Sequence, residues 1–362
     1  MTVKTRHLLV TCGALLASCG AADAGPKTVA NADALWAAVK AAAPGDTILV
    51  ASGVYPIVRL DRFVKAAPGV TIRAAPGAKP VLGGLEMEDS KGLTFIGFEI
   101  AMTDPKLQYG VTVYGGDRLR FDKVVVHQAG GSRGSSGGVG VFVRLSNDVA
   151  VSNSEFYNLS VGASFMDDTS VSMRGSHFHD LETDGIDVSG TTDPVIDGNT
   201  FVDFYPTAGD HPDAIQFWAT KTNPVGKNAV VTNNVIRRGN GGPMPMQGIF
   251  AENQANMKIT GNALVCTLYN GISVSNVAGA IIEDNFVQGC RDIGTRIIAR
   301  DGSSDVTVRN NQITEKVVDL HQATGADNVR FTQKSNAMIS PAKIGDTSAM
   351  ETWISARTRG SH

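Results

Sequence analysis

One short pattern recurs along most of the chain. A strand of alternating apolar residues runs into a polar corner, as in VVVTNNVI, MKITGNAL, AIIEDNFV and VTVRNNQI. Successive copies begin 22 or 23 residues apart at the closest, and the longer intervals are the same unit with an insertion. A fixed period of this length is typical of solenoids, in which each repeat packs mainly on its two neighbours. Residues 46–336 are therefore expected to fold as one continuous stack.

The corners place polar residues at the same offset in consecutive units. Buried polar side chains must be hydrogen-bonded, and an Asn stacked on the Asn of the next coil meets this requirement. We therefore expect an inward-pointing ladder whose neighbouring members are one strand spacing apart. Its members are Asn199, Asn234, Asn262, Asn285 and Asn311, preceded by Ser154 and Ser176. Two positions further on, an apolar column should line the core: Phe156, Phe178, Phe201, Ile236, Leu264, Val287 and Ile313.

A second strand, usually opened by Gly or Ala, follows later in each unit, as in GVTV, GVFV and NGISV. The unit length then allows three short strands per turn. The composition agrees, because 40 of the 362 residues are Gly and only 6% are aromatic, which suits many turns and an aliphatic core. These features predict an all-β fold, a single-stranded right-handed parallel β-helix of about ten or eleven coils.

A solenoid needs caps over its two open sheet edges. At the N-terminal end, residues 25–45 are predicted to form the cap, with Asn31 as the N-cap of an amphipathic helix over about 32–42. The apolar face of this helix is expected to carry Leu35, Trp36 and Val39.

The other end of the stack also carries a helical pattern. The segment DTSAMETWISAR predicts a short helix after the last coil, with Asp346 or Thr347 as its N-cap. Residues 337–362 are accordingly assigned to a C-terminal cap or tail.

The N-terminus has the pattern of an export signal. Two basic residues precede an apolar run over 8–18, which is too short to span a bilayer. A small-x-small site at 22–24 would remove residues 1–24 as a signal peptide. The segment LASC instead resembles a lipobox, which would remove residues 1–18 and lipidate Cys19. Both interpretations place the mature protein in the periplasm, in the medium or on a lipid anchor at the outer membrane, with no transmembrane segment after residue 30.

Two cysteines, Cys266 and Cys290, remain in the mature chain under either interpretation. They fall at nearly matching positions in consecutive coils, and an exported protein is exposed to oxidising conditions. A disulfide and a pair of stacked buried thiols are both compatible with this spacing.

Charge restricts the range of partners. The chain has 32 Lys and Arg against 35 Asp and Glu, a formal net charge of −3. A nucleic-acid-binding domain should be strongly basic, so that class is excluded. We expect a monomer.

Two families share local motifs with this chain. The segment ADALWAAVKAAAPGDTILVASGVYPIVRL, followed by GVTIRAAPGAKPVLGG, resembles the opening of the chondroitinase B and alginate lyase family of secreted β-helix enzymes. This resemblance implies a carbohydrate-active β-helix whose partner is an acidic polysaccharide. The strands ETDGIDV and GDHPDAIQF are similar to the paired aspartate strands of polygalacturonases, and GTRIIARDG to their RIK strand.

Insertions show which side of the stack is elaborated. Loops are expected at about 102–108, 128–138, 203–212, 218–228 and 238–247, all next to the strand opened by Gly or Ala. That sheet should form the floor of a groove, and loops on a rigid scaffold commonly carry function. The outward row on the floor is predicted to be Thr112, Phe142, Ser164, Asp187, Gln216, Phe250, Ser273 and Arg296.

The favoured function is β-elimination or C5-epimerisation at a uronate, which needs a base for the proton next to the carboxylate and a positive group for the developing charge. His211 is the candidate base, oriented by Asp210 or Asp213. The neutralising candidates are Lys221, Arg238 and Arg296. The other predicted substrate-binding residues are Asp184, Gln216, Trp218, Phe250 and Glu252, with Trp218 stacking on a sugar ring.

Two alternatives stay open. In a polygalacturonase-like hydrolase, Asp187 and Asp213 would be the acid and the base. The other alternative is a non-catalytic glycan-binding or envelope-structural solenoid.

Simpler structural roles are available to several of the polar groups. Asp184 would support the turn before Gly185, and Arg296 would pair with Asp292. His177 and His179, past the Asn corner, would be plain surface residues. No cofactor is required, although the turn DGSSD at 301–305 could bind calcium or be an ordinary polar turn.

Overall fold

Three strands per turn stack into three parallel sheets that enclose a continuous apolar core. The computed structural model describes residues 27–130, 137–219, 225–239, 246–300, 302–320 and 331–359. The result is a parallel β-helix of about ten turns with two short helices, as the repeat predicts. The export signal and Cys19 lie outside the described residues.

Sheet 1 is formed by the strands that lead into the polar corner. Its order follows the sequence, so each turn pairs with the turn before it and the turn after it. The two-residue strand Gly226–Lys227 also pairs with this sheet, at residues 254 and 255. The strands are Lys27–Val29, Thr47–Val50, Val70–Ala74, Lys91–Ile96, Asp117–Asp122, Asn147–Ser152, Ser172–Arg174, Val195–Asp197, Val230–Thr232, Gln254–Thr260, Ala278–Glu283, Ser304–Arg309 and Phe331–Lys334.

Sheets 2 and 3 follow the corner. The long strands Gly53–Arg59 and Pro80–Glu88 serve both sheets at the N-terminal end. Sheet 2 continues with Glu99–Met102, Val125–Gln128, Glu155–Tyr157, His177–His179, Thr200–Val202, Val235–Arg237, Ala263–Val265, Phe286–Gln288, Gln312–Ile313 and Ala337–Met338. Sheet 3 continues with Tyr109–Tyr114, Val139–Arg144, Val161–Met166, Ile186–Ser189, Asp213–Trp218, Gln247–Glu252, Asn270–Ser275, Arg296–Arg300 and Val318–Leu320.

The predicted polar and apolar columns both point inward. The backbone N–H and side-chain amide of Asn234 donate to Oδ1 of Asn262 at 3.0 and 2.9 Å. The same double contact joins each of the five predicted Asn residues to the next, and it extends to Asn336, which the sequence analysis did not include. Phe178 stacks between Phe156 and Phe201, with ring centroids 4.7 and 4.8 Å apart.

The N-terminal cap is a helix over Ala32–Ala41, which we name α1. Asn31 accepts the N–H of Ala34 at 2.8 Å, which is the predicted capping bond. Leu35 and Val39 are fully buried, but the predicted burial of Trp36 is wrong, because this side chain is 45% exposed. Trp36 lies edge-on to Phe63 and under the ammonium group of Lys40, so its ring covers the rim of the core.

The second helix, α2, spans Ser348–Arg359, and Asp346 accepts the N–H of Ser348 at 3.1 Å. It packs on the flank of sheet 2, where Trp353 meets Phe286 at 5.6 Å between ring centroids. Arg357 donates to the backbone oxygen of Asp284. Two strands of sheet 2 follow Phe286–Gln288, so α2 covers a side of the solenoid. The sequence analysis expects a cap or tail after the last coil.

Cys266 and Cys290 form a disulfide with their Cα atoms 4.9 Å apart. Of the two alternatives that the spacing allows, the structure therefore selects the covalent one. The bond lies in the small apolar cluster beneath α2, together with Phe286, Ala342 and Met350. Among the described residues, no helix is long and apolar enough to cross a membrane.

Candidate functional site

The outward row on sheet 3 follows the predicted register over seven strands. Cα pairing places Thr112, Phe142, Ser164, Asp187, Gln216, Phe250 and Ser273 side by side. The prediction that Arg296 is the next member of the row is wrong. A register shift after Asn270 pairs Arg296 with Asn270, and Ile298 continues the row.

The polar centre of this floor is formed by Asp184, Asp187 and Asp213, which we call the aspartate trio. Gly185 lies between Asp184 and Asp187. Only Gly fits at this position, because a Cβ would collide with the ring of Phe201 and the backbone oxygen of Ala214. The strand can therefore begin so close to its neighbour only with Gly between the two aspartates. Oδ1 of Asp184 accepts the N–H of Asp213 at 2.7 Å, which joins adjacent turns.

Burial sets the charge of the trio. It raises the pKa of Asp213 to about 8, and the charge of Asp184 adds to this rise while a hydrogen bond from Gln216 opposes it. Burial and the two neighbouring carboxylates also hold the pKa of Asp187 well above its ordinary value. The pKa of Asp184 rises only to about 6, because the N–H of Asp213 and the charge of His211 favour its ionised form. Near neutral pH the trio therefore holds both protonated and ionised carboxyl groups.

The three carboxyl groups differ in their exposure to solvent. Asp213 is only 1% exposed, and its Oδ1 has no hydrogen-bond partner among the described residues. Its Oδ2 accepts from Nε2 of Gln216 at 3.1 Å. Asp184 and Asp187 are half-buried, although Oδ1 of Asp187 is itself buried and has no hydrogen-bond partner among the described residues.

His211 precedes the strand of Asp213, and its positive charge lowers the pKa of Asp184. His211 is exposed, and its backbone oxygen lies 3.5 Å from Nε2 of Gln247. Asp210 is also exposed and lies 3.3 Å from the hydroxyl of Thr207. Trp218 and Phe250 are half-buried.

The two predicted cations that the structure describes, Arg238 and Arg296, form ion pairs away from the trio. Nη1 of Arg238 lies 3.8 Å from Oδ2 of Asp292, and Arg296 pairs with Glu315 at 2.5 Å. The expected pair between Arg296 and Asp292 is therefore wrong, because the shifted register turns Arg296 toward Glu315. Lys221 lies outside the described residues. Glu252, at the end of its strand, is half-buried.

A second polar group on the floor was missed by the sequence analysis. Arg300 donates to Oδ1 of Asn270 at 2.7 Å and to the hydroxyl of Ser273 at 2.9 Å. The side-chain amide of Asn270 in turn donates to Oε1 of Gln247. Arg300 has the same strand parity as Arg296, and this was the available signal for its outward direction. Arg300 thus places a guanidinium group beside Ser273, where the sequence analysis expected Arg296.

The turn suggested for calcium is described only from Gly302 onward, because Asp301 lies outside the described residues. Ser303 in this turn is buried and accepts the N–H of Val277 at 3.3 Å.

A family model described as a right handed beta helix region matches residues 83–242 and 213–339. The solved structure of an alginate lyase from Paenibacillus sp. strain FPU-7 is similar at 16% identity and a TM-score of 0.58, covering 82% of this chain and 97% of that one. A GH136 lacto-N-biosidase from Eubacterium ramulus is similar at 13% identity and a TM-score of 0.60, covering 86% and 68%.

PfbA, a surface adhesin of Streptococcus pneumoniae, is similar at 12% identity and a TM-score of 0.51, covering 84% of this chain and 86% of that one. No curated protein sequence matches the chain. At such identities the likeness of solved structures shows the fold alone.

Proposed function

This chain belongs to the right-handed β-helix family, and from the carboxyl groups on its groove floor we propose that it is a glycoside hydrolase that cleaves a polysaccharide. The observation that carries the proposal is the aspartate trio, in which adjacent carboxyl groups have different protonation states near neutral pH. Glycoside hydrolysis commonly uses a protonated carboxyl group as acid and an ionised one as base or nucleophile.

Each member of the trio can be given a role. Asp187 belongs to the outward row of sheet 3 and retains its proton, so it is the candidate donor to the glycosidic oxygen. Asp184, which is half-buried, ionises first and is the candidate base or nucleophile. Asp213 is too deeply buried to reach a sugar, and burial together with the charge of Asp184 keeps the proton on Asp187. The acid and base of the sequence-based hydrolase alternative thus become Asp187 and Asp184.

Charge on the floor also restricts the substrate. Negative carboxylates at the trio would repel a uronate at the cleavage point, whereas Arg300 would attract one. The guanidinium group of Arg300 reaches the strand of Ser273, two turns from Asp213 and three from Asp187. At the spacing of paired strands this is roughly 10–15 Å. We therefore expect an acidic polysaccharide bound with a carboxylate near Arg300 and cleaved at a sugar away from it.

We expect this reaction to occur outside the cytoplasm. The disulfide between Cys266 and Cys290 supports this expectation, since such bonds persist mainly in oxidising compartments.

The test is a panel of uronic-acid-containing and neutral polysaccharides, with new reducing ends and the ultraviolet absorbance of unsaturated uronates read together. Hydrolysis should produce reducing ends without that absorbance. Asp187→Asn should lower kcat by about 10²–10⁴-fold, the usual contribution of general acid catalysis. Ser164→Ala, in the same outward row one turn earlier, is the matched control and should keep wild-type activity. Full activity of Asp187→Asn would contradict the proposal.

A lyase or C5-epimerase acting on a uronate is the second candidate, supported by the electrostatic effect of His211 on Asp184. The alginate lyase named above shares the fold over nearly its whole length. In this case the products of cleavage should absorb in the ultraviolet, and His211→Gln should lower the rate by about 10²–10⁴-fold. Saturable retention on a glycan without cleavage or epimerisation would instead support the binding alternative.

A further inference from the structure

The outward face of sheet 2 carries a cluster that the hydrolase proposal does not use. Glu155 and His177 are register partners on adjacent strands, and His179 follows His177 by two residues on the same face. One donor atom from each of the three side chains lies within 4.8 Å of the other two. A carboxylate and two imidazoles from adjacent turns thus converge on one point.

Both ring nitrogens of His179 face carboxylate oxygens. Nδ1 of His179 lies 2.7 Å from Oδ2 of Asp180, and Nε2 lies 3.1 Å from Oε1 of Glu155. A neutral imidazole carries only one N–H. If Nδ1 donates to Asp180, the lone pair on Nε2 faces a carboxylate oxygen, and this contact requires a positive centre. A metal ion shared by Nε2 and Glu155 would supply it without a second proton on the ring.

The ligand geometry is held in place before any ion binds. The ring of Tyr157 stacks between the rings of His127 and His179, at 4.7 and 5.3 Å between centroids. Asp180 orients His179 in the way that carboxylates orient histidine ligands in many zinc sites.

We propose that Glu155, His177 and His179 bind one divalent ion of the Zn²⁺ type, and that the ion links two adjacent turns of the solenoid. Two nitrogens and one oxygen suit zinc better than magnesium or calcium, which prefer oxygen ligands. Three protein ligands leave a fourth position for water or another ligand. Donors around tetrahedral zinc are about 3.4 Å apart, so the side chains must close by at most about 1.4 Å.

The experiment uses the full chain without an affinity tag and titrates it with Zn²⁺ alone by calorimetry. We expect saturable binding that is lost in Glu155→Gln and His177→Gln, and no comparable binding of Mg²⁺. Asp180→Asn should weaken Zn²⁺ binding by about 10–100-fold, the usual effect of removing a partner that orients a ligand. Asp180 has φ 54°, a conformation that Asn tolerates, so this variant is expected to fold.

Glu99→Gln is the matched control. Glu99 lies on the same face two turns before Glu155 and is not one of the three ligands, so its replacement should leave Zn²⁺ affinity unchanged. Melting of the metal-free variants checks the fold, and Zn²⁺ should raise the Tm of wild type but not of His177→Gln. Absence of binding by wild type, unchanged binding in correctly folded Glu155→Gln and His177→Gln, or equal affinity for Mg²⁺ would each overturn the site. None of these readouts depends on polysaccharide cleavage.

Discussion

At the scale of single residues, the unusual feature is the burial of carboxyl groups. Asp213 is 1% exposed and Asp168 is 2% exposed. Asp168 accepts the N–H groups of Ser146 and Met166, and even so burial raises its pKa to about 7. In both residues the loss of hydration outweighs the hydrogen bonds, so the neutral acid is favoured over a pH range in which an exposed aspartate is ionised.

This burial predicts how stability depends on pH. The pKa of Asp213 is about 8 in the folded chain against an ordinary value of 3.8, so between these values the folded state holds a proton that the unfolded state releases. The free energy of unfolding should therefore fall as pH rises through this window, by at most about 1.4 kcal/mol per pH unit for one such group. Asp213→Asn cannot ionise and should make the decline shallower.

Urea unfolding at several pH values between about 4 and 8 measures this slope. Asp168, Asp184 and Asp187 also have raised pKa values, so the Asp213→Asn variant should retain a decline that is shallower than that of wild type. The same slope up to pH 8 in Asp213→Asn and wild type would contradict the assignment.

At the scale of structural elements, the Asn ladder joins one turn to the next. The amide group of Asn262 donates to Oδ1 of Asn285 and to the backbone oxygen of Val231. Its Oδ1 accepts two bonds from Asn234. Each member thus satisfies groups on the turns before and after it, and the ladder holds the corners in register.

Asn262→Ala should lower the free energy of unfolding by about 1–3 kcal/mol, because it leaves the N–H groups of Asn234 buried without their acceptor. Chemical denaturation measures the change. The control is Asn147→Ala, which removes an exposed hydrogen bond to Asp117 and should change stability by no more than about 0.5 kcal/mol. Equal effects of the two substitutions would show that burial of the ladder contributes little.

At the scale of the whole molecule, α2 completes the apolar surface that the three sheets leave open. Ala263, Val265 and Phe286 lie beneath it and are at most 2% exposed. A cavity of about 380 Å³ remains between α2 and the strands that begin at Val235 and Ala263, and Trp353 and Arg357 line its helix side. The helix therefore covers an apolar patch of sheet 2.

A chain that ends at residue 345 lacks α2 and should expose this patch. We expect a lower Tm and concentration-dependent self-association, because exposed apolar patches promote association. Thermal melting and light scattering measure the two effects. Trp353→Ala keeps the helix and should lower the Tm less, without changing the mass that light scattering measures for wild type. A monomeric truncated chain with the wild-type Tm would show that α2 does not stabilise the solenoid.

The sequence by itself determined the repeat, the three strands per turn, the Asn and apolar columns, and the aspartates on the groove floor. These features follow from alternation and spacing within one unit, and stacking copies the same inward and outward directions from turn to turn. Asp187 beside Gln216 could therefore be predicted, as could α1 and its Asn31 cap.

Only the tertiary structure decided the features that depend on contacts between units. The register shift at Asn270 turned Arg296 toward Glu315, and the flank of sheet 2 received α2. Sequence spacing also could not assign the protonation of the aspartate trio or the distances between the donor atoms of Glu155, His177 and His179. The physical reason is that pKa values and ligand geometry depend on burial and on distances of a few ångströms between side chains from different turns, which the repeat period does not specify.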